Sequence, residues 1–334
     1  MMLSVIIATR DRAPLLNSAL RSLEAQTLAA DRFEVIVVDN ASSDDTAGVV
    51  AAFGDRLPGL QYLHEAEPGL HAGRHRGLKA ARGDILVYGD DDIEATPTWL
   101  SAIAAAFEDP DVMLVGGNNL PNFEAPPPDW LRRFWETPRL GGRAIPELSI
   151  LELPGEARPI NPNLVWGCNF SVRRSALLAA GGFHPDSVPK DLLHLRGDGE
   201  TYVAQYVAST GGICMFHPGA TVRHLVPAKR MTAAYFRERS FNQGISDSYT
   251  ALRASHLGAS RPGSLKRLVF QRLRAFKRRS FNHIRTALVR DPALRRLRRA
   301  MVKAYWKGRA FHRSAFASNP EVRAWVLKSS YLEL

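Results

Sequence analysis

Apolar runs alternate with stretches of helical periodicity through the first two thirds of the chain. Residues 3–8 form a continuous apolar run, the pattern of a central parallel strand buried on both faces. Leu16, Leu20 and Leu23 then recur at i, i+4 and i+7, which predicts a helix with one buried face. Residues 33–38 predict a second strand, 60–64 a short third, 85–88 a fourth and 112–115 a fifth. Between them, the capping-rich 41–46 opens a helix, Pro68-Gly69 turns into a helix over 70–78, and another helix is expected around 98–107. Segment 118–162 breaks the rhythm. It holds Pro126-Pro127-Pro128 with scattered Trp and Arg, and predicts a long excursion with little regular structure that covers a substrate. Strands at 165–172, 213–216 and 220–224 follow, with helices over 173–180 and from Gly197-Asp198-Gly199-Glu200 to about 209. The catalytic fold is expected to finish near Val226.

Strands alternating with helices at this spacing predict an α/β fold with a mostly parallel sheet. Ligands of such sheets bind beyond the carboxyl ends of the strands. Thr9-Arg10-Asp11, Asp39-Asn40 and Asp90-Asp91-Asp92 all fall at such ends. Three adjacent carboxylates repel one another, and a hard divalent cation would compensate them. If the extended path of residues 85–88 continues, Asp90 and Asp92 point the same way and share one ion. The plainer alternative is an acidic turn ahead of a helix opened by Thr96-Pro97.

Composition narrows the class. The chain has 334 residues, 45% of them hydrophobic, enough for a large core. No run approaches the roughly 20 apolar residues of a membrane-spanning helix. The first residues carry no basic region ahead of their apolar run, so no signal peptide is expected. Cys168 and Cys214 form neither a metal pattern nor a disulfide framework, which fits a reducing cytoplasm. The net charge of +11 is unevenly placed. Residues 261–313 hold 18 Lys or Arg and one acid, Asp291, so the preceding 260 residues are mildly acidic. Within the region 227–334, Leu265, Val269, Phe276, Ile284 and Leu288, and then Leu294, Leu297, Met301 and Tyr305, lie near one helical face with Lys and Arg opposite. Two readings stand: a helical subdomain packed on the core, or an amphipathic segment on an anionic membrane surface.

Taken in order, 4–12, 35–42, 69–77 and Gly89-Asp90-Asp91-Asp92 resemble the GT-A glycosyltransferases of family 2. Gly167-Cys168-Asn169-Phe170-Ser171 with Gly181-Gly182-Phe183 is similar to that family's acceptor-side segment, where Trp166 would also lie. The resemblance covers about 3–226 and implies a Rossmann-like GT-A domain over 1–226 followed by the basic helical region 227–334. It implies transfer of a sugar from a nucleotide-sugar donor to a hydroxyl acceptor with inversion, assisted by Mn²⁺ or Mg²⁺. A UDP-sugar is the first donor to expect, with GDP- and dTDP-sugars as alternatives. A saccharide or lipid-linked acceptor, envelope polysaccharide synthesis and a cytoplasmic enzyme peripheral to the inner face of the membrane are the matching context.

Residue by residue, the resemblance gives Thr9, Arg10 and Asp11 to the loop near base and ribose. Asp39 and Asn40 fall to the nucleotide, Arg74 to the helix facing it, and Asp90 and Asp91 to the donor side of the acidic motif. Asp90 and Asp92 match the metal-binding acids, and His224 a histidine that completes the metal sphere in some relatives. The family's base is usually an acid in a Glu-Asp pair at a helix start. Here the sequence departs and reads Asp198-Gly199-Glu200. Counting back from Gly211 places Glu200 at the base position, with Asp198 second. His71 and His75 are expected on the helix surface or facing phosphate. A dinucleotide-binding dehydrogenase would need glycines where Thr9-Arg10-Asp11-Arg12 has none. A nucleic-acid reader would use the basic region but leaves the acidic cluster without a purpose.

Overall fold

The computed structural model describes residues 1–57, 59–257 and 291–332. Five of the nine apolar positions that the periodicity places in 227–334, Leu265, Val269, Phe276, Ile284 and Leu288, lie outside the described residues.

The chain runs β1 (Leu3–Thr9), α1 (Ala13–Glu24), β2 (Phe33–Asp39), α2 (Thr46–Ala51), β3 (Gln61–His64), α3 (Leu70–Ala80), β4 (Ile85–Asp90), β5 (Ile93–Ala95), α4 (Trp99–Ala106) and β6 (Val112–Gly116). Then come β7 (Asn119–Phe123), α5 (Asp129–Glu136), β8 (Arg143–Ile145), β9 (Ile150–Glu152), β10 (Arg158–Pro159), β11 (Asn169–Arg173), α6 (Arg174–Ala180), α7 (Glu200–Ser209), β12 (Ile213–Phe216), β13 (Val222–Val226) and α8 (Ala233–His256). A basic helix, Pro292–Ser318, and a last helix, Pro320–Leu327, complete the described residues.

Eight strands form the central sheet in the order β10-β12-β6-β11-β4-β1-β2-β3. The pairs β1–β2, β1–β4, β2–β3 and β6–β12 are parallel, and β11 runs antiparallel between β4 and β6. The unbroken apolar runs behave as buried strands should: every residue of β2 is buried, and helices cover both faces. Each fully buried Val, Leu or Ile stabilises the fold by roughly 1.5–3 kcal/mol.

Segment 118–162 is more regular than its composition predicts. It contributes β7, β8 and β9 to a second sheet, β5-β13-β7-β9-β8, together with α5. Those strands are three to five residues long, too short to show a period of two. The packing does not stop at Val226. Val226, Met231 and Phe236 share a cluster with Leu131, Phe134, Trp135, Ile145 and Ile150, and Leu297 and Met301 of the basic helix lie against it.

Candidate active site

Strand register brings the candidate loops to one edge. Thr9 sits opposite Asp39 on β1 and β2, Asp39 opposite His64 on β3, and Ala8 opposite Asp90 on β4. All these are carboxyl ends of parallel strands, where a doubly wound sheet opens toward ligand.

The acidic motif does not continue as a strand. β4 ends at Asp90 and the chain turns at Asp91 and Asp92, so the alternation expected of an extended path is lost. Asp90 faces Arg74, whose Nη2 donates to Asp90 Oδ1 at 3.3 Å. Asp91 and Asp92 instead share Arg12, whose Nη1 lies 2.8 Å from Asp91 Oδ1 and 3.3 Å from Asp92 Oδ2. Thr9 Oγ1 donates to Asp91 Oδ2 at 2.7 Å. Arg230 Nη2 reaches Asp92 Oδ2 at 3.2 Å, and His224 Nε2 stands 3.2 Å from Asp92 Oδ1. Three guanidinium groups thus supply the compensation that the repelling carboxylates demand. Burial pushes the Asp91 carboxyl up to about 6, against the opposing pull of Arg12. Burial works against ionisation at Asp92 too, but His224, Arg230 and Arg12 outweigh it and hold the carboxyl at about 2.

A second constellation adjoins the first. Arg74 is buried on α3, and its Nη2 also donates to the Gly167 carbonyl at 3.0 Å. Gly167 N–H donates to Glu200 Oε1 at 3.1 Å, and Glu200 Oε2 lies 3.6 Å from Arg74 Nη1. The backbone of one residue, Gly167, therefore holds both partners of an Arg–Glu pair. The approach depends on the missing side chain: a Cβ at Gly167 would fall 2.6 Å from Arg74 Nη2 and 3.1 Å from Glu200 Cδ. Glu200 begins α7 directly after Gly199, whose φ of 54° with ψ of −129° suits glycine alone. Burial pushes the Glu200 carboxyl up and the charge of Asp186 adds to it, while Arg74 opposes. A carboxylate of raised pKa, at the start of a helix and joined through Arg74 to the acidic motif, has the chemistry of a general base.

The other sequence-predicted residues divide. Asp39 accepts from Tyr62 Oη at 2.5 Å and from Ser42 N–H at 2.8 Å, and the bond to Asp39 drives the Tyr62 hydroxyl up to about 12. Asn40 ties the loop after β3 to the start of α3: it donates to the Glu65 and Glu67 carbonyls and accepts from Gly69 N–H. Asp11 accepts from the Ser43 backbone and hydroxyl, which keeps its carboxyl below the usual range, and Arg10 is exposed beside it. Trp166 donates to the Asn163 carbonyl. Cys168 is buried, and burial raises its thiol well above the ordinary value. Asn169 spends its side chain inside the core, accepting from Trp99 Nε1 and donating to Asn119 Oδ1 and the Ala220 carbonyl. Asp198 is fully engaged as well, by His184 and Thr250. His71 and His75 are buried, not surface residues; His75 Nε2 accepts from Phe183 N–H. The sequence reading missed Arg12 and Arg230 as partners of the acids. Arg12 lay inside a quoted motif, but Arg230 follows the last recognisable one.

The donor set suits a hard divalent cation in kind. Carboxylate oxygens and an imidazole converge at Asp92 and His224, where His224 Nδ1 is buried without a hydrogen-bond partner and Asp92 Oδ1 faces His224 Nε2 at 3.2 Å. No three His, Cys, Asp or Glu among the described residues are already gathered to hold an ion.

The family model described as "Glycosyl transferase family 2" matches residues 4–178. Validoxylamine A glucosyltransferase from Streptomyces hygroscopicus subsp. jinggangensis is 29% identical over 55% of this chain and 47% of its own. The chain therefore spans about half the length of that relative. Glucosyl-dolichyl phosphate glucuronosyltransferase from Haloferax volcanii is 24% identical over 74% of this chain and 76% of its own. Among solved structures, a mannosyltransferase from Pyrobaculum calidifontis in complex with GDP-Man and Mn²⁺ superposes with a TM-score of 0.55 at 20% identity, covering 99% of this chain and 84% of the other. S. aureus TarS in complex with UDP-GlcNAc superposes at 0.51 and 15%, covering 94% and 92%. At such identities these likenesses concern the fold, whereas the family match covers more than half of the chain: it belongs to glycosyl transferase family 2.

Proposed function

We propose that this protein transfers a sugar from a nucleotide-sugar donor to a hydroxyl acceptor with inversion at the anomeric carbon, and that Glu200 is the base. The observation that carries the reading is the chain Asp90–Arg74–Gly167–Glu200. It joins the carboxyl edge of β4 to a carboxylate of raised pKa at the start of α7.

In this mechanism the acceptor hydroxyl oxygen attacks the anomeric carbon from the face opposite the nucleotide. Its proton passes to Glu200 as the new C–O bond forms. The bond from the anomeric carbon to the phosphate oxygen breaks, and its electron pair leaves with the nucleoside diphosphate. Asp39 and Asn40 line the nucleotide end of the edge, and Arg74 and Arg12 offer fixed positive charge to the diphosphate. Asp92 and His224, with Asp90 two residues earlier in the same motif, would hold a divalent cation, which when bound neutralises charge developing on the leaving group. Asp198 is a lesser candidate for the base, because both its oxygens are already bonded.

Relatives and neighbours supply the donor classes to test. They include enzymes named for glucosyl and glucuronosyl transfer, and complexes with GDP-Man and UDP-GlcNAc. Release of nucleoside diphosphate from UDP-glucose, UDP-GlcNAc, GDP-mannose and dTDP-glucose, each with Mn²⁺ or Mg²⁺, tests the function. Turnover of one is expected; turnover of none, with no nucleotide binding by calorimetry, overturns it.

The basic region supports a peripheral association with an anionic lipid surface. In the basic helix Arg296, Arg299, Lys303 and Lys307 are exposed along one side. Leu297 and Met301 are turned onto the α5–α8 cluster. Contact through this helix would therefore be electrostatic, without an inserted apolar face. No helix among the described residues is long and apolar enough to cross a membrane.

A further inference from the structure

The turn that delivers Glu200 is held from outside the strand-and-helix core, by the helical region that follows β13. Asp198, two residues before the proposed base, receives two short bonds. His184 Nδ1 lies 2.6 Å from its Oδ1, and Thr250 Oγ1, on α8, donates to its Oδ2 at 2.5 Å. The Asp198 side chain is 7% exposed and that of His184 3%, so neither carboxylate nor imidazole is screened by solvent.

The surroundings leave this turn little freedom. His184 stacks on Tyr202 of α7 with ring centroids 3.7 Å apart and meets Tyr249 and Tyr331 edge-on. Tyr249 and Tyr331 join through their hydroxyls at 2.8 Å, and Arg253 donates to the Val326 and Lys328 carbonyls. Trp325 Nε1 donates to the Leu195 carbonyl, just before the turn. At the centre sits Gly199, in the positive-φ conformation that fixes the direction in which α7 starts.

We infer that the His184–Asp198–Thr250 network is a positioning device for Glu200, and that α8, through Thr250, makes the C-terminal region part of the catalytic unit. Both bonds anchor the residue before Gly199, and one of them comes from α8, so the first residue of α7 takes its place in part from α8. Thr250 touches neither Glu200 nor the acidic cluster. Its removal should shift the base away from the Gly167 amide while leaving the nucleotide end of the cleft intact. The inference rests on the reading of Glu200 as base.

The test compares T250V, T250S and E200Q in the full chain. The readouts are kcat for hydrolysis of whichever of UDP-glucose, UDP-GlcNAc, GDP-mannose or dTDP-glucose turns over fastest, with water in the acceptor's place, and calorimetric affinity for the corresponding nucleoside diphosphate. T250V keeps the volume and loses the hydroxyl. Its kcat is expected to fall at least 10-fold with nucleotide affinity within twofold, and T250S to restore kcat. A T250V kcat within twofold of the parent overturns the inference. So does a T250S kcat as low as that of T250V, or a T250V chain that does not fold, since the hydroxyl would then be a determinant of folding and not of positioning. E200Q separates the two claims. If E200Q turns over freely, the base assignment fails; if E200Q is inactive and T250V is not impaired, only the positioning role fails.

Discussion

Gly167→Ala probes the joint between the two halves of the site. The added methyl would stand 2.6 Å from Arg74 Nη2, 3.1 Å from Arg74 Nη1 and 3.1 Å from Glu200 Cδ. The guanidinium has no room to retreat: it is buried, bonded to Asp90 and Gly167, and lies 5.3 Å from the centre of the Phe183 ring. The cheapest relief is to break the bond from Arg74 to the Gly167 carbonyl and swing Glu200 off the Gly167 amide. A hydrogen bond to a charged group contributes about 1.5–3 kcal/mol, so one lost bond predicts a fall of roughly 10- to 100-fold in kcat/KM. The assay is nucleoside diphosphate release from the active nucleotide sugar, with Gly54→Ala as the control. At Gly54 an added Cβ meets only the Ala51 carbonyl, at 3.4 Å. A Gly167→Ala enzyme with kcat/KM within twofold of the parent would refute the claim that the Gly167 backbone orders the Arg–Glu pair.

Asp92→Asn should lower turnover by about 10²-fold or more, as for loss of one electrostatic stabiliser, and excess EDTA should silence the parent; full activity in EDTA contradicts a metal-assisted reaction. Acid should destabilise the fold through its buried imidazoles: burial holds His71 at about 4 and His75 at about 3, below the ordinary 6.5. The unfolded chain then binds more protons between those values, so the stabilisation is complete above about 6.5 and is lost as pH falls toward 4 and 3, on the order of 3 kcal/mol for His71. Denaturant midpoints that stay level between pH 7 and 4.5 would contradict this. Anionic vesicles should sediment the full chain at low salt and release it at 0.5 M, because exposed basic residues act within a Debye length of about 10 Å at 0.1 M; a chain that stays in the supernatant at low salt removes the membrane reading.

Much of the central sheet was legible because its strands are buried on both faces and read as unbroken apolar runs, as in residues 3–8 and 33–38. The second sheet was less so, since β8 and β9 are only three residues long and their burial is set by tertiary contacts. In the site, types and order of residues were readable, but partners were not. Asp90, Asp91 and Asp92 stand together in sequence, yet the turn after β4 sends Asp90 to Arg74 and the other two to Arg12. Arg230 and Thr250 carry no motif, and reach Asp92 and Asp198 only because the chain beyond β13 folds back. His71 and His75, expected on the helix surface or facing phosphate, are buried because Trp325 and Tyr331 from the C-terminal residues pack against His71 and Phe183 stacks on His75.

The proposed transfer depends on one carboxylate. Glu200→Gln preserves the shape and the acceptor oxygen facing the Gly167 amide, but it cannot take a proton. With the nucleotide sugar that the enzyme turns over, the substitution should cost 10²- to 10⁴-fold in kcat, the range of a general base, while calorimetric affinity for the nucleoside diphosphate stays within twofold. Asp198→Asn should be milder. Turnover by Glu200→Gln close to that of the parent, nucleotide binding lost along with activity, or a dead Asp198→Asn beside an active Glu200→Gln would each contradict the assignment.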